Sequence, residues 1–290
     1  MNSFSRLMNS ELRNECRRVA ARLAAAGIPA AETEARLLLE AATGIPYFEL
    51  EIRLSCRLSS AVRRRLDEWT SRRLRREPLQ YILGRVFFRD LELEVTPSVL
   101  IPRPETELLV DWAVDRIGGR GGTLLDLGTG SGAIALSVAE ERPAARVTAV
   151  DVSDSALAVA RRNARRCGVE DKVEFLQSDL FSALEAERRF DVICANLPYV
   201  TEEEFPTLEP EVRDHEPRLA LVAPDAGLSL ILRAAAELPR RLNADGAAIF
   251  ELSPFQAPVL AARFEASGFR AAVRRDLTGR DRFVTAERMR

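Results

Sequence analysis

Three short stretches hold residue types that could do chemistry together. Asp126-Leu-Gly-Thr-Gly-Ser-Gly132 follows an apolar run and opens a helical pattern. Gly128 and Gly130 permit a tight turn and a close backbone approach to a ligand, with Thr129 and Ser131 between the glycines. Gly132 lets a helix pack against a strand. Asp151 ends the next apolar run, about 20 residues on, where a carboxylate can hold two ribose hydroxyls. Asn196-Leu197-Pro198-Tyr199 ends a later one. There a carboxamide oxygen and the Leu197 carbonyl can each accept one hydrogen of a planar NH2 group, while Tyr199 lies on its plane. Taken alone, the tetrapeptide also reads as a strand-ending turn. Taken together, the stretches describe a nucleoside-containing cofactor beside a pocket for an NH2 group. The glycine turn does not choose the cofactor, because Gly128, Gly130 and Ala133 also satisfy the dinucleotide spacing. The tetrapeptide discriminates: hydride transfer has no use for it, and methyl transfer to an NH2 group does. Asp179 and Leu180, after a third strand, would flank the base, Leu180 as an apolar wall. As a helix N-cap, Asp179 has a plain structural alternative.

These residues need a frame that brings strand ends together. The strand Phe190 to Ala195 must stop before Pro198, which lacks an N–H and cannot continue a sheet ladder. Asn196 then sits beyond a carboxyl end, where open α/β sheets place their ligands. Strands at Thr123–Leu127, Arg146–Val150, Val173–Gln177 and Ala247–Leu252 alternate with helices at Ala133–Glu141, Ala156–Cys167, Leu228–Leu238 and Pro258–Ser267. That order predicts a doubly wound, mostly parallel α/β sheet. Arg270–Arg274 and Arg282–Thr285 read as a closing antiparallel pair. Upstream, the spacing predicts helices over 11–26, 30–42 and 60–76, with a short one from near Pro46. The last long helix carries Arg63, Arg64, Arg65, Arg72, Arg73, Arg75 and Arg76, either a solvated face or a docking surface for an acidic or RNA-rich partner. Leu91, Leu93 and Val95 alternate with acids, which predicts a hairpin over 86–95. The expected domains are a helical bundle over 1–80, a hairpin linker over 81–100 and an α/β domain over 101–290.

Composition narrows the classes. The 290 residues are 47% apolar and 30% charged, enough for two cores under an ordinary surface. No apolar run reaches the ~18 residues of a membrane span, and residues 1–10 lack the apolar core of a secretory signal. Cys16, Cys56, Cys167 and Cys194 form no C-x-x-C pair, so they read as reduced thiols of a cytoplasmic protein with no metal site. The net charge of −2 gives no global signature for nucleic acid. His215 is the only histidine, so catalysis by positioning or by carboxylates fits better than a histidine base.

Asp126–Gly132, Asp151 and Asn196–Tyr199 are similar to the motifs of S-adenosylmethionine-dependent amino-methyltransferases. Glu77-Pro-Leu-Gln-Tyr-Ile-Leu-Gly84, Leu100-Ile-Pro-Arg-Pro-Glu-Thr-Glu107 and Glu216-Pro-Arg-Leu-Ala-Leu221 are narrower, and with them the chain resembles the HemK family, the glutamine methyltransferases of peptide-chain release factors. The resemblance implies a Rossmann-like seven-stranded methyltransferase domain, preceded by a small all-α bundle and a β-hairpin connector. It implies methyl transfer from S-adenosyl-L-methionine, leaving S-adenosyl-L-homocysteine, to the glutamine of a release factor's Gly-Gly-Gln loop. The cofactor residues implied are Asp126, Gly128, Thr129, Gly130, Ser131, Gly132, Asp151, Asp179, Leu180 and Asn196. The catalytic ones are Asn196, Leu197, Pro198 and Tyr199. A cytoplasmic monomer is expected, its bundle docking the substrate, with no direct nucleic-acid or membrane partner. One position departs: the family usually has Asn-Pro-Pro-Tyr, whereas Asn-Leu-Pro-Tyr is more typical of ribosomal-RNA adenine dimethylases. Leu197 supplies the same carbonyl with a freer φ. A nucleic-acid adenine or guanine amino-methyltransferase, using the same pocket on a flipped base, is the alternative. A non-catalytic module with a relic nucleotide fold is a third reading, against which Gly128, Asp151 and Asn196 argue.

Overall fold

The computed structural model describes residues 3–46, 49, 58–119 and 121–288. It divides into two compact units, Met1–Gly84 and Arg85–Arg290. Among the described residues no helix is long and apolar enough to cross a membrane.

The first unit holds α1 (Ser3–Ala25), α2 (Ala31–Thr43), α3 (Ser60–Leu74) and α4 (Leu79–Leu83). In α2, Ala31, Ala35, Leu38, Leu39 and Ala42 are buried, a spacing that lays one apolar stripe on the core. The helix stops at Gly44, whose φ of 69° lets its N–H return to the Glu40 carbonyl. Ser59 caps α3 by accepting from the Val62 N–H. The arginine-rich face of α3 is partly internal. Arg73 is only 4% exposed, and its Nε donates to Glu34 at 2.6 Å. Arg72 grips Glu77 through two bonds of 2.9 and 2.5 Å, and Arg63 pairs with Glu11. The helix α4 occupies the Glu77–Gly84 motif and is too short for periodicity to announce it. The short helix expected from near Pro46 falls largely outside the described residues.

The second unit opens with the hairpin β1 (Arg85–Phe88) and β2 (Leu91–Glu94), joined by a tight turn in which Arg89 has φ 51°. The hairpin was expected as a linker, but it is built into this unit. Phe88, Leu91 and Leu93 lie in the unit's own core cluster. Asn163 also clasps Glu94, accepting from its N–H at 2.7 Å and donating to its carbonyl at 3.0 Å.

After α5 (Glu107–Ile117) the alternation predicted from sequence follows: β3 (Thr123–Leu127), α6 (Ala133–Glu141), β4 (Arg146–Asp151), α7 (Asp154–Arg166), β5 (Val173–Gln177) and β6 (Phe190–Asn196). A short helix α8 (Pro210–His215) precedes α9 (Ser229–Arg241), β7 (Leu242–Glu251), α10 (Ala257–Ala266), β8 (Phe269–Arg275) and β9 (Asp281–Arg288). The seven strands lie in the order β5-β4-β3-β6-β7-β9-β8. Pairing is parallel from β5 through β7, and β9 runs antiparallel to both β7 and β8. β7 starts at Leu242, five residues before its expected Ala247; a register shift between Phe190 and Val192 accommodates the added residues. The chain leaves β3 for β4 and β5, then returns to the other side of β3 as β6. The crevice at the carboxyl ends of β3 and β6 is therefore the switch point where such sheets bind ligands.

Arg73 and Glu34 are both largely buried, so removing one strands the other's charge. Arg73→Met is expected to lower stability to urea by about 3 kcal/mol, and Arg73→Met with Glu34→Leu to recover most of it. Equal midpoints for the wild type and the single variant would contradict the packing described.

Candidate active site

The glycine turn is pinned to the neighbouring strand. The Gly128 and Thr129 N–H groups both donate to the Val150 carbonyl, at 2.9 and 3.0 Å. Gly128, Gly130 and Gly132 have φ of 72°, 55° and 86°, a region that costs other residues strain. Asp126 is fully buried and accepts from the Thr129 hydroxyl at 2.7 Å, bracing the turn from behind. Asp151 meets the turn from the tip of β4. Its Oδ2 accepts from the Gly130 N–H and its Oδ1 from the Ser153 N–H, both at 2.9 Å.

Asn196 ends β6 in register with Glu251 of β7. Its Nδ2 donates to Thr106 Oγ1 at 3.2 Å, and the Thr106 hydroxyl donates to Glu251 Oε2 at 2.8 Å. The chain beyond Asn196 is clamped. Buried Gln256 donates from Nε2 to the carbonyls of Tyr199 and Ala226, each at 2.9 Å. A Cβ on Gly227 would lie 2.0 Å from the Tyr199 carbonyl oxygen. Val200 and Val222 form a parallel bridge. Two of the three narrower motifs also meet, since buried Glu216 accepts from Arg103 Nη2 at 2.5 Å and from the Ile101 N–H at 3.1 Å.

A cavity of about 570 Å³ opens at the switch point. Gly128, Thr129, Gly130, Ser131 and Asp151 form one part of its wall, and Asn196, Leu197 and Pro198 another. Asp179 and Leu180 also line it. The two parts touch: a Cβ on Gly128 would stand 3.1 Å from Leu197 Cδ2. Asp179 caps no helix; it pairs with Arg233 at 2.8 Å, in a turn where Leu180 takes φ 53°.

Three expected site residues do not line the cavity. Asp126 lies behind the turn. Gly132 faces the helix, with Leu136 Cδ1 3.0 Å from where its Cβ would be. Tyr199 is packed against a core cluster that includes Leu197. Thr106, Arg103 and Leu219 do line it without having been singled out. Thr106 and Arg103 fell inside the Arg-Pro-Glu-Thr-Glu block, which was their only signal; Glu251 and Gln256 carried none.

Burial dominates the electrostatics. It pushes the Asp126 carboxyl up to about 7, against the opposing Thr129 hydroxyl. It likewise pushes Glu251 up to about 7, against the Thr106 bond and Arg282. Burial, and then the Glu251 charge, push the Tyr199 phenol up to about 12. Asp151 is also raised by burial, opposed by the N–H groups of Ser153 and Gly130.

A glycine turn, an acid at the tip of the next strand and a carboxamide corner around one cavity define a Rossmann-like methyltransferase. Comparison with known proteins agrees. Residues 104–209 match the Methyltransferase small domain family, and residues 16–84 match the PrmC N-terminal domain family. A release factor glutamine methyltransferase of Deinococcus radiodurans is 39% identical, covering 96% of this chain and 99% of its own. That of Caulobacter vibrioides is 40% identical over 91% of both chains. The chain belongs to the release factor glutamine methyltransferase family. Solved structures share the fold. A ribosomal protein L11 methylase of Lactobacillus delbrueckii superposes with a TM-score of 0.52 at 20% identity, over 71% of this chain and all of that one. A methyltransferase of Pyrococcus furiosus gives 0.52 at 20% identity, over 69% of this chain and 89% of its own.

A buried carboxyl raised from 3.8 to about 7 keeps its proton in the folded chain where the unfolded chain has lost it. Its contribution to stability is whole below pH 4 and is lost as pH rises towards 7. Asp126→Asn is therefore expected to make the fall in melting temperature between pH 4.5 and 7.5 shallower. An unchanged slope would show that Asp126 is ionised across that range.

Proposed function

We propose that this chain transfers a methyl group from S-adenosyl-L-methionine to the side-chain amide nitrogen of the glutamine in the Gly-Gly-Gln loop of bacterial release factors. One observation carries the reading. Asn196 and Leu197 face the same cavity as Gly128–Ser131 and Asp151, so a cofactor wall and an amide-binding wall meet. The cavity fits the cofactor's chemistry. Asp151 offers a carboxylate to two ribose hydroxyls, Leu180 an apolar face to adenine, and a Cβ on Gly130 would meet nothing within 4 Å, so the backbone there is open to a ligand. When bound, S-adenosylmethionine supplies a methyl group on a positively charged sulfur.

The residues around it have a harder task. An amide nitrogen is a poor nucleophile, because its lone pair is delocalised into the carbonyl. Asn196 Nδ2 is engaged by Thr106, which leaves Oδ1 for the substrate. Oδ1 and the Leu197 carbonyl take the two amide hydrogens and aim the lone pair at the methyl carbon. Positioning is then the main catalytic contribution, and no strong base is needed, since the nitrogen becomes acidic as it gains positive charge. Tyr199, outside the lining, supports the corner through its held main chain.

Among the described residues, the first unit contributes none to the cavity lining. We assign it the docking of the release factor's body, because an amide pocket alone cannot tell one exposed glutamine from another. The chain acts as a cytoplasmic monomer in this reading.

Asn196→Ala is expected to cut kcat by about 10²–10³ with cofactor affinity retained. Asp151→Ala is expected to weaken cofactor binding by roughly ten- to hundredfold. Calorimetry and single-turnover rates separate the two effects. Normal turnover by Asn196→Ala would reduce the corner to a turn. A chain starting at Arg85 is expected to keep cofactor affinity and lose most of its rate on the intact release factor; an equal rate would remove the docking role.

A further inference from the structure

Asn196 has a structural problem that its own sequence position does not solve. The two ends of a carboxamide are nearly equal in shape, and a half-turn about the last bond swaps a hydrogen-bond acceptor for a donor. Only the acceptor, Oδ1, can receive a substrate NH2. Turned the other way, Asn196 would offer its own NH2 to the cavity and repel the group it has to hold. The backbone of β6 fixes where the carboxamide lies, and Asn196's register partner is Glu251. Neither fact sets which end faces the cavity.

Thr106 lies between them. Its hydroxyl has a single hydrogen, and it stands 3.2 Å from Asn196 Nδ2 and 2.8 Å from Glu251 Oε2. An ionised Glu251 can only accept. It therefore takes the Thr106 hydrogen, and the hydroxyl oxygen can face Asn196 only as an acceptor. The NH2 end of Asn196 must then turn towards Thr106, and Oδ1 towards the cavity. A protonated Glu251 can instead donate to Thr106 Oγ1. That releases the Thr106 hydrogen to Asn196, which meets it best with Oδ1 and leaves NH2 facing the substrate.

We propose that Thr106 and Glu251 are positioning residues, a two-bond relay in which the Glu251 carboxylate holds Asn196 with its oxygen towards the substrate amide. The relay deepens the amide-methylation reading and rests on it. Three features support it beyond the two distances. Thr106 is 4% and Glu251 2% exposed, so water does not compete for their bonds. Glu251 does not itself line the cavity, whereas Thr106 does, so a buried acid is kept one hydrogen bond from the site without facing the substrate. The titratable groups facing Glu251 are Arg282 from β9, Arg103 and Glu105 from the segment before α5, and the neutral Tyr199 phenol beyond β6. Arg282 also faces Asp276, 3.5 Å away, and burial outweighs the arginines and pushes the Glu251 carboxyl up to about 7. The relay is thereby sensitive to pH where an amide substrate is not.

The test is kcat against pH from 5.5 to 9 on an intact release factor, with cofactor affinity and melting temperature measured on each variant. The wild type is expected to show kcat rising through a single-proton acid limb. Glu251→Gln is expected to lose that limb and run below the wild-type plateau, with cofactor affinity retained. Thr106→Val, the same shape without the hydroxyl, is expected to lose about 10²-fold in kcat, and Thr106→Ser to restore it. The relay is overturned if the acid limb persists in Glu251→Gln. It is equally overturned if Thr106→Val keeps the wild-type kcat, or if Thr106→Ser is no better than Thr106→Val. Should Glu251→Gln fail to fold, the Thr106→Val and Thr106→Ser pair decides alone. A wild-type chain that methylates no glutamine overturns the amide reading and the relay's role with it. Glutamine methylation that is indifferent to all three variants overturns the relay only.

Discussion

In the proposed amide methylation, two hydrogen-bond acceptors at the tip of β6 have to be held still, because together they engage both hydrogens of the amide and aim its nitrogen. Much of the second unit's buried polar structure meets that demand. Gln256 holds the Tyr199 carbonyl, and Gly227, lacking a Cβ, leaves room for it. The Val200–Val222 bridge holds the next residue. Glu216 draws Arg103 and the Ile101 backbone together, and that segment leads directly into Thr106. None of these groups needs to touch a substrate. Each removes a degree of freedom from the corner that does, and a misplacement of an ångström there is costly.

The other wall of the cavity obeys a different constraint. The nucleoside recognition proposed for it needs a backbone that can be approached closely and a carboxylate that stays in place. Left-handed glycines give the first, and Asp151, bonded to the Gly130 and Ser153 N–H groups, gives the second. Gly128 also lets the two walls meet, since its missing Cβ is what admits Leu197. Leu197 thus has a packing role as well as a carbonyl, which gives a physical reason why leucine can occupy a position where proline is usual.

The repeating strand-helix order was legible because each element carries its own periodicity, and Pro198 and the glycines mark where strands must end. That Gly128–Ser131, Asp151 and Leu180 would share one cavity was legible for the same reason, since each lies at or just beyond the end of a strand. What the sequence left obscure is long-range. Thr106, Glu251 and Gln256 converge on Asn196 and Tyr199 from segments up to 145 residues apart, and no local pattern encodes such a meeting. The arginines of α3 show the converse. Read as a string they form a basic face, but Arg73 and Arg72 are turned to Glu34 and Glu77 by packing that only tertiary structure reveals. The hairpin is a third instance. Its alternation announced two strands, and only the placement of Phe88, Leu91 and Leu93 in a core showed which unit owns it.

The central claim is that the carboxamide corner grips an amide and no other NH2 group. Tandem mass spectrometry after incubation with methyl-labelled S-adenosylmethionine, an intact release factor and ribosomal RNA tests it in one tube. The account predicts one labelled methyl group on the side-chain nitrogen of the Gly-Gly-Gln glutamine, and none on RNA. Label on adenine or guanine, with the glutamine unmodified, would contradict it.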